Sequence, residues 1–289
     1  MSGWSRSPAC CLAALLALPL LPGPARAEPG TAAESSGARA SLPKWEAGLV
    51  LGGGWVNDYP GADQNHARSL VAPFLIYRGS VLQIDREGIR SRLIDAKDFE
   101  LDITASAAFS SRRSDARQGM AGLDYLFGVG PQLVYKGLGG AWGRPWLRLK
   151  LRALASTDFH RADGRGAALD AQLQWRFRPS ADWPGTLNFG IQPMWASSEL
   201  HRYLYDVPAA QATSLRPAYE ARAGYLGTEL SWTLTRRQSE RLSWFATAQA
   251  MSLSGAANAR SPLLRDKSGF SIGAGLLWTP WQSAARAAD

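Results

Sequence analysis

Between Asp98 and Ser110 the chain alternates without a break. Phe99, Leu101, Ile103, Ala105, Ala107 and Phe109 interleave with Glu100, Asp102, Thr104, Ser106, Ala108 and Ser110. A period of two puts successive side chains on opposite faces of a sheet, so the segment reads as a strand with one apolar and one polar face. Thirteen residues are long for a soluble strand and suit a tilted strand crossing roughly 25–30 Å of hydrocarbon. The fold class predicted is all-β, a transmembrane antiparallel β-barrel.

The N-terminal residues read as an export signal. Arg6 precedes an apolar run from Cys10 to Leu21, and Ala25-Arg26-Ala27 places small residues, Ala25 and Ala27, at a cleavage site, so residues 1–27 are expected to be removed. The run of twelve residues is short of the roughly 20 that a spanning helix needs, and no later segment is apolar throughout. An integral membrane protein would therefore have to be a barrel, and the expected location is the outer membrane. Both cysteines, Cys10 and Cys11, lie in the signal, which excludes disulfide scaffolds and Cys-ligated metals from the mature chain. Loss of Arg6 and Arg26 leaves 30 basic against 24 acidic residues. In an exported barrel this excess points to anionic lipid or polymer as neighbours, with no nucleic acid partner, and a plain solvated basic surface is the competing reading. Residues 28–43, rich in Gly, Ala, Ser and Pro, are expected to be a flexible periplasmic lead-in. One barrel domain over 44–281 and a tail over 282–289 complete the division.

About twelve strands are expected, over residues 45–55, 70–78, 81–86, 89–94, 99–110, 123–135, 144–155, 167–178, 186–196, 219–235, 242–252 and 270–278. The connections at 56–69, 111–122, 156–166, 197–218 and 253–269 are long and polar. Those at 79–80, 95–98, 136–143, 179–185 and 236–241 are shorter. The two kinds alternate if 81–94 is a small hairpin turning at Glu87-Gly88, as they do in bacterial barrels with long outer loops and short periplasmic turns. An even count places both chain ends on the periplasmic side.

The faces divide in the same way along later strands. Pro145, Leu147, Leu149, Leu151, Ala153 and Ala155 oppose Arg148, Lys150 and Arg152, while Leu173, Trp175 and Phe177 oppose Gln172, Gln174 and Arg176. A small soluble barrel would point its apolar set inward, and a membrane barrel points it outward. The long strands, their aromatic ends and the basic ladder favour outward, because each cation in hydrocarbon would cost about 2–4 kcal/mol near the midplane. Arg148, Lys150, Arg152 and Arg176 are thus expected in the lumen, where they either pair with Glu100, Asp102, Asp170 and Glu229 or line a narrow, anion-preferring channel.

Several segments also resemble the MipA/OmpV family of outer-membrane proteins. They are Asp58-Tyr59-Pro60-Gly61-Ala62-Asp63, Pro73-Phe74-Leu75-Ile76-Tyr77-Arg78, Leu123-Asp124 before Gly130-Pro131, Tyr205-Asp206-Val207-Pro208-Ala209-Ala210-Gln211-Ala212, Pro217-Ala218-Tyr219-Glu220-Ala221 and Ser261-Pro262. The likeness runs over nearly all of 45–278. The chain departs from it at Asp206 and at Leu215-Arg216-Pro217, where the family has Gly and Gly-Leu-Pro, and in the eleven residues after Trp278. The assembly signal is therefore expected at Gly275, Leu276, Leu277 and Trp278, or at Trp281. The resemblance implies a non-enzymatic barrel that scaffolds a murein lytic transglycosylase and a murein synthase complex, or acts in adhesion or envelope stress.

The residues themselves offer no catalytic site, cofactor site or metal site. His66, His160 and His201 all fall in expected outer loops, far apart in the chain, whereas a Ser/His/acid centre needs both groups held on the wall. Gly52-Gly53-Gly54 lacks the Lys-Ser or Lys-Thr of a phosphate loop and instead permits close packing or bending. The loop from Ser197 to Pro217 is the candidate interaction surface. Its Tyr203 and Tyr205 either anchor a partner or fold inward as a plug. A periplasmic wall enzyme would instead meet residues 28–44, the short turns holding Trp142 and Trp183, or the tail.

Overall fold

The computed structural model describes residues 43–78, 82–85, 88–91, 95–96, 98–112, 114–139, 145–178 and 185–285. Ala25 and Ala27, the lead-in up to residue 42, Trp142, Trp183 and the last four residues lie outside them. The described chain forms one antiparallel sheet. Its strands are β1 (Trp45–Asn57), β2 (Asn65–Arg78), β3 (Leu82–Asp85), β4 (Gly88–Ser91), β5 (Asp95–Ala96), β6 (Phe99–Ala108), β7 (Tyr125–Tyr135), β8 (Trp146–Thr157), β9 (Ala162–Phe177), β10 (Gly185–Ala196), β11 (Gly224–Arg237), β12 (Leu242–Ser252) and β13 (Ser268–Gln282). From β6 to β13 each strand pairs with its chain neighbour, β13 pairs with β1, and β1 with β2. β4 meets β6 at one pair, Ile89 opposite Ile103. The two ends of the described chain lie side by side, with Glu46 opposite Gln282 and the Lys44 amide donating to the Ala285 carbonyl at 2.9 Å.

The strand inventory differs from the expectation in four places. The hairpin expected over 81–94 is two strands of four residues each, and the extra β5 has two, giving thirteen strands in place of twelve. β2 starts at Asn65 instead of 70 because it pairs with β1 along its whole length, up to Asn57 opposite Asn65. β9 starts at Ala162 rather than 167, so the expected long loop at 156–166 is a tight turn. There Asp158 Oδ1 accepts the amides of His160 and Arg161, each at 3.0 Å, while Thr157 Oγ1 accepts that of Phe159 at 2.9 Å. Such side-chain capture of local amides makes a turn as strongly as glycine does. β11 starts at Gly224 because Tyr219 is spent in an isolated bridge to Val207.

Alternation holds where it was read. On β8, Arg148 and Lys150 are 2% and 5% exposed, while Leu149 and Leu151 between them are 40% and 51% exposed. The same parity leaves Leu51, Val71, Val129, Leu133, Leu169, Ile272 and Leu276 exposed. Trp45, Phe177, Trp278 and Trp281 are exposed near one margin of this apolar belt, and Trp55, Trp195 and Phe270 near the other. The sheet therefore has an apolar exposed face and a polar buried one, the reverse of a water-soluble sandwich.

A small apolar floor interrupts the buried face. Val50, Phe245 and Leu277 are buried there, with Phe74 packed against them. Glycines make room for the Phe245 ring: a Cβ on Gly275 would lie 2.6 Å from Phe245 Cζ, and one on Gly52 would lie 3.4 Å from it. The glycines of β1 and β13 thus serve close packing. Gly275→Val is expected to lower stability by about 1–3 kcal/mol through overpacking. Urea unfolding of the refolded protein in detergent should show it, and an unchanged midpoint would contradict this packing.

Candidate functional site

The polar face gathers its charge on β8 and the strands beside it. Register places Lys150 opposite Asp170 and Arg148 opposite Gln172, with Gln132 of β7 on the other side of Lys150. Arg152 is ion-paired with the fully buried Asp170. Lys150 Nζ donates to Gln172 Oε1 at 2.8 Å and to Gln192 Oε1 at 3.2 Å. Arg176 Nε donates to Asn188 Oδ1 at 3.3 Å. Trp146 collects the remaining positive charge: the guanidinium carbons of Arg176 and Arg148 lie 5.0 and 5.5 Å from its ring centroid, and Lys136 Nζ lies 5.7 Å away. A ring face attracts cations by its quadrupole, contributing about 0.5–2 kcal/mol each depending on desolvation. Removing cations from water is costly unless each is paired or hydrogen-bonded, and this wall provides for that.

Four inter-strand loops fold together over one end of the sheet. Residues 58–64, 109–124, 197–223 and 253–267 contribute most of a buried apolar cluster that includes Tyr59, Leu123, Leu200, Leu204, Tyr205, Val207, Leu253 and Leu263. The short helix α1 (Ser198–Tyr205) supplies its centre through buried Leu200, His201, Leu204 and Tyr205. Side-chain bonds to backbone join the loops. Tyr205 donates to the Pro60 carbonyl at 2.8 Å, Tyr59 to that of Leu263 at 2.7 Å, and Ser261 to that of Tyr205 at 2.8 Å. Asp206 Oδ1 accepts the Ala221 amide at 2.6 Å, and Arg117 Nη1 donates to the Leu204 carbonyl at 3.0 Å. Arg216 fastens a further loop through the carbonyls of Ala116 and Gln118, at 3.1 and 2.9 Å. Burial pushes the Tyr205 and Tyr59 hydroxyls above the ordinary phenol range and the Arg117 guanidinium below its own.

These positions resolve the open alternatives in the loop. Tyr205 folds inward as part of the plug, and Tyr203 is half-buried, its hydroxyl accepting the Asp124 amide at 2.6 Å with the Arg165 guanidinium 4.2 Å over its ring. An exposed anchor is therefore not what Tyr205 forms. Arg148, Lys150 and Arg152 line one cavity, and Arg176 sits beside Trp146. The expected pairing is observed for Arg152 with Asp170, while Lys150 uses amides. Gly275, Leu276 and Trp278 lie on β13, where Trp278 stands opposite Leu49 and Leu242. The three histidines are not brought together: His66 binds Asp58 at 2.7 Å, His160 sits in the 158–161 turn, and His201 is in α1. Among the described residues no three His, Cys, Asp or Glu side chains group as metal ligands. Trp146 and Asn258 were not singled out in the sequence. Asn258 is fully buried, its Oδ1 accepting the Arg222 amide at 3.0 Å and its Nδ2 donating to the Arg222 carbonyl at 2.8 Å. No spacing in the sequence marks such an asparagine.

An up-and-down antiparallel sheet with an exposed apolar face, a polar interior and a plug of loops is the class of molecule these features define. The chain belongs to the MipA family, whose model, MltA-interacting protein MipA, matches residues 49–280. No curated protein matches it. Among solved structures, the crystal structure of the Pseudomonas putida toluene transporter TodX is similar at 10% identity over 84% of this chain and 69% of that one, with a TM-score of 0.25. A likeness that distant carries no argument. Four of the segments on which the family resemblance rests converge in the plug, where Tyr59-Pro60, Tyr205-Asp206-Val207, Tyr219-Glu220-Ala221 and Ser261 bond to one another directly or through one neighbour, while Pro73–Arg78 lies on β2 and Gly130-Pro131 on β7.

His201 gives the plug a pH dependence. It is fully buried, its Nε2 lies 3.1 Å from the Gly224 carbonyl, and Nδ1 has no partner. Burial holds its pKa below the ordinary imidazole value. Above about pH 6.5 the ring is neutral in both closed and opened plug and costs nothing. As pH falls below that, the opened form takes up the proton first, so stability is lost progressively until the depressed pKa is reached. Protection factors over 198–206, that is, amide exchange corrected for its intrinsic pH dependence, are expected to fall between pH 7.5 and 5.5, and His201→Gln should flatten that response. Equal slopes in both proteins would remove His201 as its cause.

Proposed function

We propose that this chain is an outer-membrane β-barrel that serves as a non-catalytic interaction protein for murein-remodelling enzymes, a lytic transglycosylase in the first place. The observation that carries the membrane reading is the inversion on β8, with Arg148 and Lys150 buried and Leu149 and Leu151 exposed. An apolar belt of this extent is unfavourable in water and is satisfied by acyl chains. The long strands and the aromatic margins agree with that placement, and the pair Ile89–Ile103 is where the sheet would close on itself. Among the described residues no helix is long and apolar enough to cross a membrane, a statement that leaves spanning strands untouched.

The family name supports the partner, because it is that of a protein interacting with MltA. The plug occupies the end of the sheet where the long loops lie, so a wall enzyme on the periplasmic side would meet the other end. That end presents Trp45, Trp278 and Trp281 around the paired start of β1 and end of β13, together with the turn at residues 238–241. The channel reading is less well supported, since apolar clusters lie at both ends of the polar interior.

Two measurements test the proposal. Leu149→Arg should lower barrel stability by about 2–4 kcal/mol in bilayers, read by urea titration of the heat-modifiable gel band. Arg at this position in a water-soluble sheet would change little. Photo-cross-linking residues placed at Ser239, Glu240 and Trp281 in cells should trap a lytic transglycosylase, whereas Leu215 and Phe159 should not. Capture from the Leu215 and Phe159 side alone would favour an adhesin and overturn the scaffold.

A further inference from the structure

The polar interior contains a cavity of about 430 Å³, within the range of small-molecule sites. Tyr59, Pro60 and Gly61 of the plug bound it at one end, and Val50 and Phe245 of the floor at the other. Lys150 lines it, 5% exposed. An ammonium has three donors, and the two hydrogen bonds of Lys150 go to the neutral amides of Gln172 and Gln192. Among the described residues no carboxylate lies within ion-pair distance of it, although Asp170 stands opposite it and Glu229 lines the same cavity, so one donor is left to whatever fills the cavity.

Two further groups on the same lining are incomplete. Gln174 Oε1 and Asn188 Nδ2 are buried without a hydrogen-bond partner. Gln174 stands opposite Gly190, and Gln172, which holds Lys150, is the next inward residue of the same strand. Inward positions are spaced by about 7 Å, so cation, acceptor and donor lie along a single wall. Gly190 lets neighbouring polar side chains close in on this wall, because a Cβ there would lie 2.7 Å from Ser231 Oγ and 3.2 Å from Gln172 Nε2. A hydroxyl is the group that both gives to a bare amide oxygen and accepts from a bare amide N–H, and a carboxylate is the group that completes a buried ammonium. Of the cations that line the cavity, Arg68 is ion-paired with Asp58 and Arg152 with Asp170, whereas the hydrogen bonds of Lys150 go to neutral amides.

We propose that this cavity is a binding site for a small hydroxylated organic anion of the sugar-acid type, its carboxylate on Lys150 Nζ and its hydroxyls on Gln174 Oε1 and Asn188 Nδ2. The inference rests on the closed-barrel reading above. Closure is measured separately by heat-modifiable gel migration, so a closed barrel that fails to bind counts against the site and not against the barrel.

Isothermal titration calorimetry of the full mature chain in detergent with sodium glucuronate, against glucose as the neutral counterpart, tests it. Glucuronate should bind about tenfold more tightly than glucose, because the difference is one charge-assisted hydrogen bond, and added salt should narrow the gap. Lys150→Met should abolish the preference for glucuronate over glucose. Asn188→Ala, which leaves the charge in place, should weaken both sugars several-fold. No heat from the closed wild-type barrel, equal affinity for the two sugars, or a glucuronate affinity unchanged by either substitution would overturn the assignment. The wild-type comparison decides the matter even if Lys150→Met fails to fold.

Discussion

The fold depends on keeping the β8 cations on the buried side of the sheet. Arg148, Lys150 and Arg152 occupy consecutive inward positions; Arg148 lies over the Trp146 ring of its own strand, whereas Lys150 and Arg152 take partners from other strands, Asp170 and Gln172 from β9 and Gln192 from β10. Those partners are reached only in the observed register, with Lys150 opposite Asp170. A slip of one residue would carry the whole ladder to the apolar face and the leucines to the polar one. The charges are therefore a register device as much as an interior lining, since a misaligned pairing leaves buried cations bare at a cost of several kcal/mol.

Alternation was the part of the fold most legible in the sequence, and the reason is geometric. Along β6, β8, β9 and β10 most side chains obey one rule imposed by the pleat, broken at the register shifts beside Ala153 and Met194, so face and register parity can be read directly. The rule ends where the pleat ends. The turn after β8 reads as a long polar loop until the Asp158 carboxylate is seen taking two amides. Tyr219 looks like a strand residue and is one, but it pairs with Val207 in a loop instead of extending β11. Tyr205 shows the same limit. Nothing in its flanking residues separates a partner anchor from a plug, because the distinction depends on Pro60, 145 residues away in the chain. The family resemblance reached further than the residue pattern, for most of the segments that carry it are those that lock the loops together.

The basic ladder is not one functional unit. Arg152 is neutralised by Asp170, Arg148 and Arg176 share the Trp146 ring, and Lys150 alone holds its charge on neutral amides. A channel for anions would use successive weak sites open at both ends. This interior instead has a loop plug above, an apolar floor of Val50, Phe245 and Leu277 below, and Lys150 held by amides between them. Such an arrangement suits retention of one molecule better than passage of many.

The plug also decides which surface is left for a protein partner. Its aromatic residues are turned inward and tied to carbonyls, so the long loops spend their largest side chains on each other. On the proposed membrane placement, the side chains able to anchor a periplasmic enzyme are those at the opposite edge, where Trp45, Trp278 and Trp281 cluster around the paired start of β1 and end of β13. Exposed tryptophans there serve equally as a membrane-interface belt. The two roles are compatible, because an enzyme that works on the wall beneath the membrane must approach a barrel through its interfacial rim. A partner docked there lies beyond the floor from the cavity, separated from it by Val50, Phe245 and Leu277.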